Sequence, residues 1–266
     1  MRAAFVMACL MACLAIATAA SADALPPESV EADVSTRNVS IQADFTGAEI
    51  VVFGAVENSR QPSPEAGVYD IVVIVEGAPQ PVVVRRKARV GGIYVNAKAI
   101  RFASLPNYYA ISSTRPIYDI AEAPVLKKYE IGFEHIRMVP TSASRISVLN
   151  ATELSDFRNA VIRLKERDKL YSRADYGVAF VGRSLFRATM PVPPNVPVGE
   201  LKARVFLFRE GALLGQFTSR VTLRREGVER FLYDSAFKRP LLYGIATVLM
   251  AVAAGLASAF ALRREA

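Results

Sequence analysis

From Leu241 to Leu262 the chain runs for 22 residues without a charge, and no other stretch limits its fate so tightly. At about 1.5 Å per residue such a helix is about 33 Å long, against a bilayer hydrocarbon core of about 30 Å. Lys238, Arg239 and Pro240 precede it, and Arg263-Arg264 follow it. A helix buried in a soluble core would carry a polar stripe, and this one carries none. The segment therefore reads as a single C-terminal transmembrane helix over residues 241–262, with a tail at 263–266. Both flanks are basic, so a count of Lys and Arg does not orient it.

The other end of the chain supplies the orientation. Met1-Arg2 is followed by an apolar run from Ala3 to Ala20 and then by Ser21-Ala22-Asp23. A basic start, an uncharged run and small residues at Ala20 and Ala22 make the pattern of a signal peptide over residues 1–22. The expectation is an inner-membrane protein whose N-terminal domain is periplasmic and whose C-terminus is cytoplasmic. Both cysteines, Cys9 and Cys13, lie inside this leader. Leu10-Met11-Ala12 before Cys13 is a poor lipobox, and apolar residues continue past it. After cleavage no cysteine is left for a disulfide, a thiolate nucleophile or a metal.

Between the two apolar ends, short valine- and isoleucine-rich runs alternate with glycine turns. They fall at Val39–Ala43, Ile50–Val56, Tyr69–Val75, Pro81–Val90, Ile93–Phe102 and Tyr108–Ser112, and later at Ser184–Met190, Leu201–Phe208 and Leu213–Leu223. That spacing predicts a mostly β fold, an immunoglobulin-like β-sandwich ectodomain of one or two modules. One amphipathic helix interrupts it over Thr152 to Tyr171, with Leu154, Phe157, Val161, Leu164 and Asp168 on a narrow face laid across a sheet. The expected organisation is a flexible lead-in at 23–36, an N-terminal β module at 37–140, a helix plus C-terminal β module at 141–227, and an interfacial juxtamembrane segment at 228–240. Charge divides unevenly along this plan. Asp23 to Pro140 holds 12 Lys+Arg and 14 Asp+Glu, whereas Thr141 to Arg239 holds 18 and 10. The half nearer the span carries the positive excess, which suits anionic lipid headgroups or an acidic neighbour. An exported compartment argues against nucleic acid.

Three stretches carry a family resemblance: Val84-Arg85-Arg86-Lys87-Ala88-Arg89-Val90-Gly91-Gly92-Ile93-Tyr94-Val95-Asn96, Tyr108-Tyr109-Ala110-Ile111-Ser112-Ser113-Thr114-Arg115-Pro116, and Thr218-Ser219-Arg220-Val221 through Tyr243-Gly244. They resemble the alphaproteobacterial putative transmembrane protein family of unknown function, over nearly the whole mature chain. The resemblance implies a single-span protein, often encoded beside a sulfite-exporter-like permease. It assigns no catalytic residue.

Gly91-Gly92 is a good type I′ hairpin turn, since both positions need φ above zero. With Val90 opposite Ile93, a regular ladder pairs Arg89 with Tyr94, Lys87 with Asn96 and Arg85 with Lys98. One face then gathers Arg85, Lys87, Arg89, Tyr94, Asn96 and Lys98, and Arg89 is able to stack on Tyr94. The other face holds Val84, Ala88, Val90, Ile93, Val95, Ala97 and Ala99. Four cations without a carboxylate read either as a site for an anion or acidic partner, or as a solvated edge whose charges prevent aggregation. Arg86 falls on the apolar face opposite Ala97. It therefore needs a carboxylate, a route to solvent, or a bulge.

Enzyme templates match poorly. His135 is the only histidine, no G-x-S-x-G surrounds a serine, and neither G-x-G-x-x-G nor a Walker motif occurs. Glu130 and Glu134 beside His135 are thin support for a metal site. No catalytic residue, metal or cofactor is assigned, and the chain is read as a non-enzyme. In the span, Thr247, Ala251, Gly255 and Ala259 recur every four residues as a small-residue face suited to helix packing. The expected role is a membrane-anchored accessory protein that touches membrane lipid and supports a permease or other membrane protein. The alternative is a receptor for an extracytoplasmic anion on the hairpin.

Overall fold

The computed structural model describes residues 26–41, 45–141, 150–225, 233 and 235–263. In chain order the strands are β1 (Ser29–Val34), β2 (Asn38–Ile41), β3 (Ala48–Glu57), β4 (Asp70–Gly77), β5 (Pro79–Val90), β6 (Ile93–Pro106), β7 (Tyr109–Ser113), β8 (Tyr171–Ala174), β9 (Val178–Val181), β10 (Leu185–Val192), β11 (Gly199–Arg209) and β12 (Ala212–Arg225). The helices are α1 (Ile117–Ile120), α2 (Ala123–Lys128), α3 (Ala151–Arg167) and α4 (Pro240–Arg263). One sheet has four strands in the order β1-β3-β10-β9, and a second has six in the order β2-β12-β11-β4-β7-β8. Strands β5 and β6 form a separate two-stranded ribbon.

Side-chain alternation closes the two sheets into a sandwich. Ile50, Val52 and Val56 of β3 and Phe186, Ala188, Met190 and Val192 of β10 face Leu201, Ala203, Val205 and Leu207 of β11 and Ile71, Val73 and Val75 of β4. The neighbouring strands β1 and β10 crowd β3 so closely that a Cβ on Gly54 would stand 2.3 Å from the Glu31 carbonyl oxygen and 2.6 Å from the Phe186 ring. A second core lies on the far side of the six-stranded sheet. There Val72 and Ile74 join Tyr109, Ile111, Phe206 and Phe208, and the cover comes from Phe102, Leu126, Phe157 and Val161. Strand β4 is thus buried on both faces, which is why Ile71-Val72-Val73-Ile74-Val75 contains no polar residue. Two edge pairings, β2 with β12 and β7 with β8, are parallel.

The register fixes which ends of the elements lie together. Gly199 pairs with Leu223, and Leu201 pairs with both Val221 and Gly77. The end of β12 that leads toward α4 and the end of β4 that leads into β5 therefore share one end of the six-stranded sheet. The β5–β6 ribbon springs from the end of the sandwich at which the chain leaves for the span. At the opposite end Glu28, with its side chain 4% exposed, accepts from Tyr69 Oη at 2.6 Å and from Arg209 Nη1 at 2.6 and 2.7 Å.

Several expectations change. The flexible lead-in at 23–36 instead contains β1, which pairs along its length with β3 from Ser29↔Glu57 to Val34↔Val52. The boundary at 140/141 does not separate two sandwiches, because β3 and β10, and β4 and β11, pair across it. The helix ends at Arg167 with Asp168 as its cap, and Lys169 turns left-handed at φ 57° before β8 begins at Tyr171. Of its expected inner face, Phe157 and Val161 are buried, whereas Leu164 is 41% exposed. The expected apolar helix is present as α4, a candidate span whose stretch Pro240–Ser258 has a mean hydropathy of 2.0. The expected signal peptide at 1–22, with Cys9 and Cys13, lies outside the described residues. So do residues 228–232 and 234 of the juxtamembrane segment, of which Tyr233 and 235–238 are helical, with the Tyr233 and Phe237 rings 4.6 Å apart.

Candidate functional site

The Gly-Gly turn forms as its dihedral requirement dictates, with φ of 57° at Gly91 and 89° at Gly92. From it Val90↔Ile93, Arg89↔Tyr94, Ala88↔Val95 and Lys87↔Asn96 pair as expected. A bulge then intervenes. Arg86 pairs with Lys98, Arg85 with Ala99 and Val84 with Ile100, so one residue of β6 near Ala97 is extra.

The bulge resolves the placement of Arg86 and corrects that of Lys98. Beyond it the β6 side chains change face, so Lys98 leaves the cationic face and joins the side that carries Arg86 and the buried Val84 and Ile100. Its ammonium lies 2.5 Å from Glu153 Oε1 at the start of α3. The Lys98 hydrogen bond is the main cause that holds the Glu153 carboxyl below its ordinary value, and the Arg86 charge adds to it. Of the two opposed cations that would repel, Lys98 is thus paired with a carboxylate whose charge Arg86 also feels. Ala99, expected on the apolar face, turns outward with Arg85, and Arg101 moves to the outward position next to it.

The outward face therefore holds Arg85, Lys87 and Arg89 with Tyr94 and Asn96, and all five are exposed. No ion pair engages these three cations among the described residues. Arg89 stands opposite Tyr94, but the cation–ring contacts of the described residues fall on Tyr129, Tyr171, Phe133 and Phe206 instead. The opposite face of the tip is apolar and uncovered: Val90 is 58% and Ile93 66% exposed. The hairpin is an arm whose root is packed into the second core and whose tip, on both faces, meets solvent.

A cleft of about 510 Å³ opens at the root of the arm, lined by Pro79, Ala103 and Pro106 on one side and by Glu76, Lys202 and Arg204 on the other. Arg204 bonds Glu76 Oε2 at 3.1 Å and the Tyr129 carbonyl at 3.1 Å, and its guanidinium lies over Phe206. Beneath it Tyr109 donates to the Glu130 carbonyl and accepts from Gly132 N, and burial pushes its hydroxyl well above the ordinary phenol range. The cleft also meets Glu130, Glu200 and Arg137, so its acidic and basic residues are equal in number and it selects neither sign. Sequence reading did not assemble it, because its residues come from five separate segments joined only by the register.

His135 sits in a 3-10 turn, Phe133–His135, and its buried Nε2 has no partner among the described residues. Glu134 turns away from it to Arg173 at 3.2 Å. No group of three or more His, Cys, Asp or Glu side chains converges on a metal position among the described residues. On α4, Thr247 bonds back to the Tyr243 and Gly244 carbonyls, and nothing lies within 4 Å of the position of a Cβ at Gly255. Ala251 is exposed, and Ala259 continues the same helix.

A mostly β domain followed by one apolar helix that is not buried against it defines a membrane protein with one candidate C-terminal span among the described residues. The chain belongs to the family described as "Putative transmembrane protein (Alph_Pro_TM)", whose model matches residues 29–264. No curated protein matches it.

Proposed function

We propose that the protein is a membrane-anchored accessory subunit of the inner membrane, with a periplasmic sandwich, a cytoplasmic C-terminus and a partner membrane protein such as a transporter. The observation that supports this reading is the uncovered span: no part of its spanning window is buried against the rest of the chain, and Thr247, Ala251 and Gly255 give one side of it a low profile. In a bilayer, helices associate through close van der Waals packing, and small residues permit the approach. Thr247 spends its hydroxyl on its own helix, so shape rather than polar pairing would drive the contact. Purification in mild detergent followed by mass spectrometry tests the reading. A membrane protein should co-purify in fixed proportion and be lost from Ala251→Leu/Gly255→Leu. Recovery of the chain alone, or a companion indifferent to that change, refutes it.

A second reading, receptor-like capture of an extracytoplasmic anion, is favoured by Arg85, Lys87 and Arg89 sharing one face with no carboxylate on it. Thermal shifts with sulfite, sulfate or organic sulfonates, at matched ionic strength against chloride, distinguish it from general salt effects.

A further inference from the structure

We propose that the β5–β6 arm docks on the bilayer, its Val90–Ile93 tip entering the headgroup region of an anionic lipid surface while Arg85, Lys87 and Arg89 lie against the phosphates. The inference depends on α4 crossing a membrane and not on the accessory role. Three features lead to it. First, the arm leaves the sandwich at the end from which β12 leads to the span, so its root is on the bilayer side of the ectodomain. Second, β5 has 12 residues, about 40 Å at about 3.4 Å per residue, and residues 226–239 before α4, with 235–238 helical, reach at most about 40 Å. The tip and the bilayer are within reach of each other. Third, the tip is amphipathic in the order a membrane surface requires: Val90 and Ile93 are more than half exposed, Tyr94 is 72% exposed, and the cations follow toward the root.

A soluble anion would need the cations and leave the apolar tip unexplained. A solvated edge would need the cations too, but exposed valine and isoleucine work against solubility. A bilayer uses both, since apolar side chains enter the acyl boundary, tyrosine sits at the headgroups, and Lys and Arg meet the anionic surface.

The chain contains no tryptophan, so Ile93→Trp places a single indole at the tip of the full-length protein. The variant is reconstituted into vesicles of phosphatidylglycerol and phosphatidylcholine, or of phosphatidylcholine alone, and its emission is recorded with and without brominated acyl chains. The expected result is blue-shifted emission, quenched by bromine, in the anionic vesicles. Combining it with Arg85→Gln, Lys87→Gln and Arg89→Gln should lower the docked-to-free ratio by on the order of a hundredfold, at about 1 kcal/mol per cation. Salt at about 1 M, where the Debye length is about 3 Å, should act in the same direction. Val90→Trp repeats the measurement from the other strand if the first variant misfolds by circular dichroism. Water-like, unquenched emission from folded protein in both lipids overturns the proposal. Equal quenching with and without the three cations overturns the role given to anionic lipid. An indole exposed in vesicles yet shielded in native membranes assigns the tip to a protein partner instead, and also overturns it.

Discussion

Removing Arg209 should destabilise the protein more than removing its partner Glu28, although the two share one ion pair. Glu28 is nearly dry, with 4% of its side chain exposed, whereas Arg209 keeps 31% in contact with water. In Arg209→Ala the carboxylate stays buried, held by Tyr69 Oη at 2.6 Å and by the looser Arg60 at 3.4 Å, itself 45% exposed. Breaking a buried pair in this way costs about 3–5 kcal/mol, and the surviving partners put the expectation near the lower figure, about 3 kcal/mol. In Glu28→Ala the guanidinium rehydrates, and the loss is that of hydrogen bonds to a charged group, about 2 kcal/mol. The double variant should cost no more than Arg209→Ala alone, because the second substitution removes the stranded charge. Thermal unfolding of the full chain in detergent reads these values, with about 2–4 °C expected per kcal/mol for a domain of this size. Equal losses from the two single variants, or additivity within about 0.5 kcal/mol, would refute the reasoning.

Gly54→Ala should destabilise by about 1–3 kcal/mol or more through overpacking, because its Cβ meets backbone as well as the Phe186 ring; an unchanged melting temperature would mean that β1 does not pack as described. Glu153→Gln should release the arm from α3 and raise hydrogen exchange around Lys98 without raising that of β4. In the unmodified protein the Lys98–Glu153 contact contributes above the ordinary carboxyl value of 4.5 and is lost as pH falls through the lower folded-state value; arm protection factors should hold from neutrality down to pH 4.5 and drop only below it. N-terminal sequencing of the membrane-extracted protein should begin at Asp23, and a reporter fused after Ala266 should be active only if it works in the cytoplasm; an intact Met1-Arg2 start or a periplasm-dependent signal would overturn the orientation.

The arm shows where reading along the chain stops. Its turn was legible because Gly91-Gly92 states a backbone requirement locally, and pairing out to Lys87↔Asn96 followed from the turn. The bulge was signalled only indirectly, by the conflict of placing Arg86 opposite Ala97 on an apolar face. Its resolution depended on Glu153, 55 residues away from Lys98 in sequence, and no local pattern names that partner. Strand β1 escaped notice for a related reason. Ser29–Val34 alternates acidic and apolar residues behind Pro26-Pro27, and becomes a strand because β3 offers it an edge and buries Val30 and Val34.

What the sequence determined alone are properties set by neighbours in the chain: the uncharged helix of the span, the strand periodicity, the turn, and the uninterrupted apolar run of β4. The tertiary structure decided the rest. It drew both halves of the chain into shared sheets, closed the cleft at the root of the arm from five segments, and set the arm at the end where the chain leaves for the span. The physical reason is that side chains alternate by local geometry, whereas burial, pairing and charge compensation depend on which distant strand lies alongside. That choice is made by the free energy of the whole packed sandwich, and no single segment contains it.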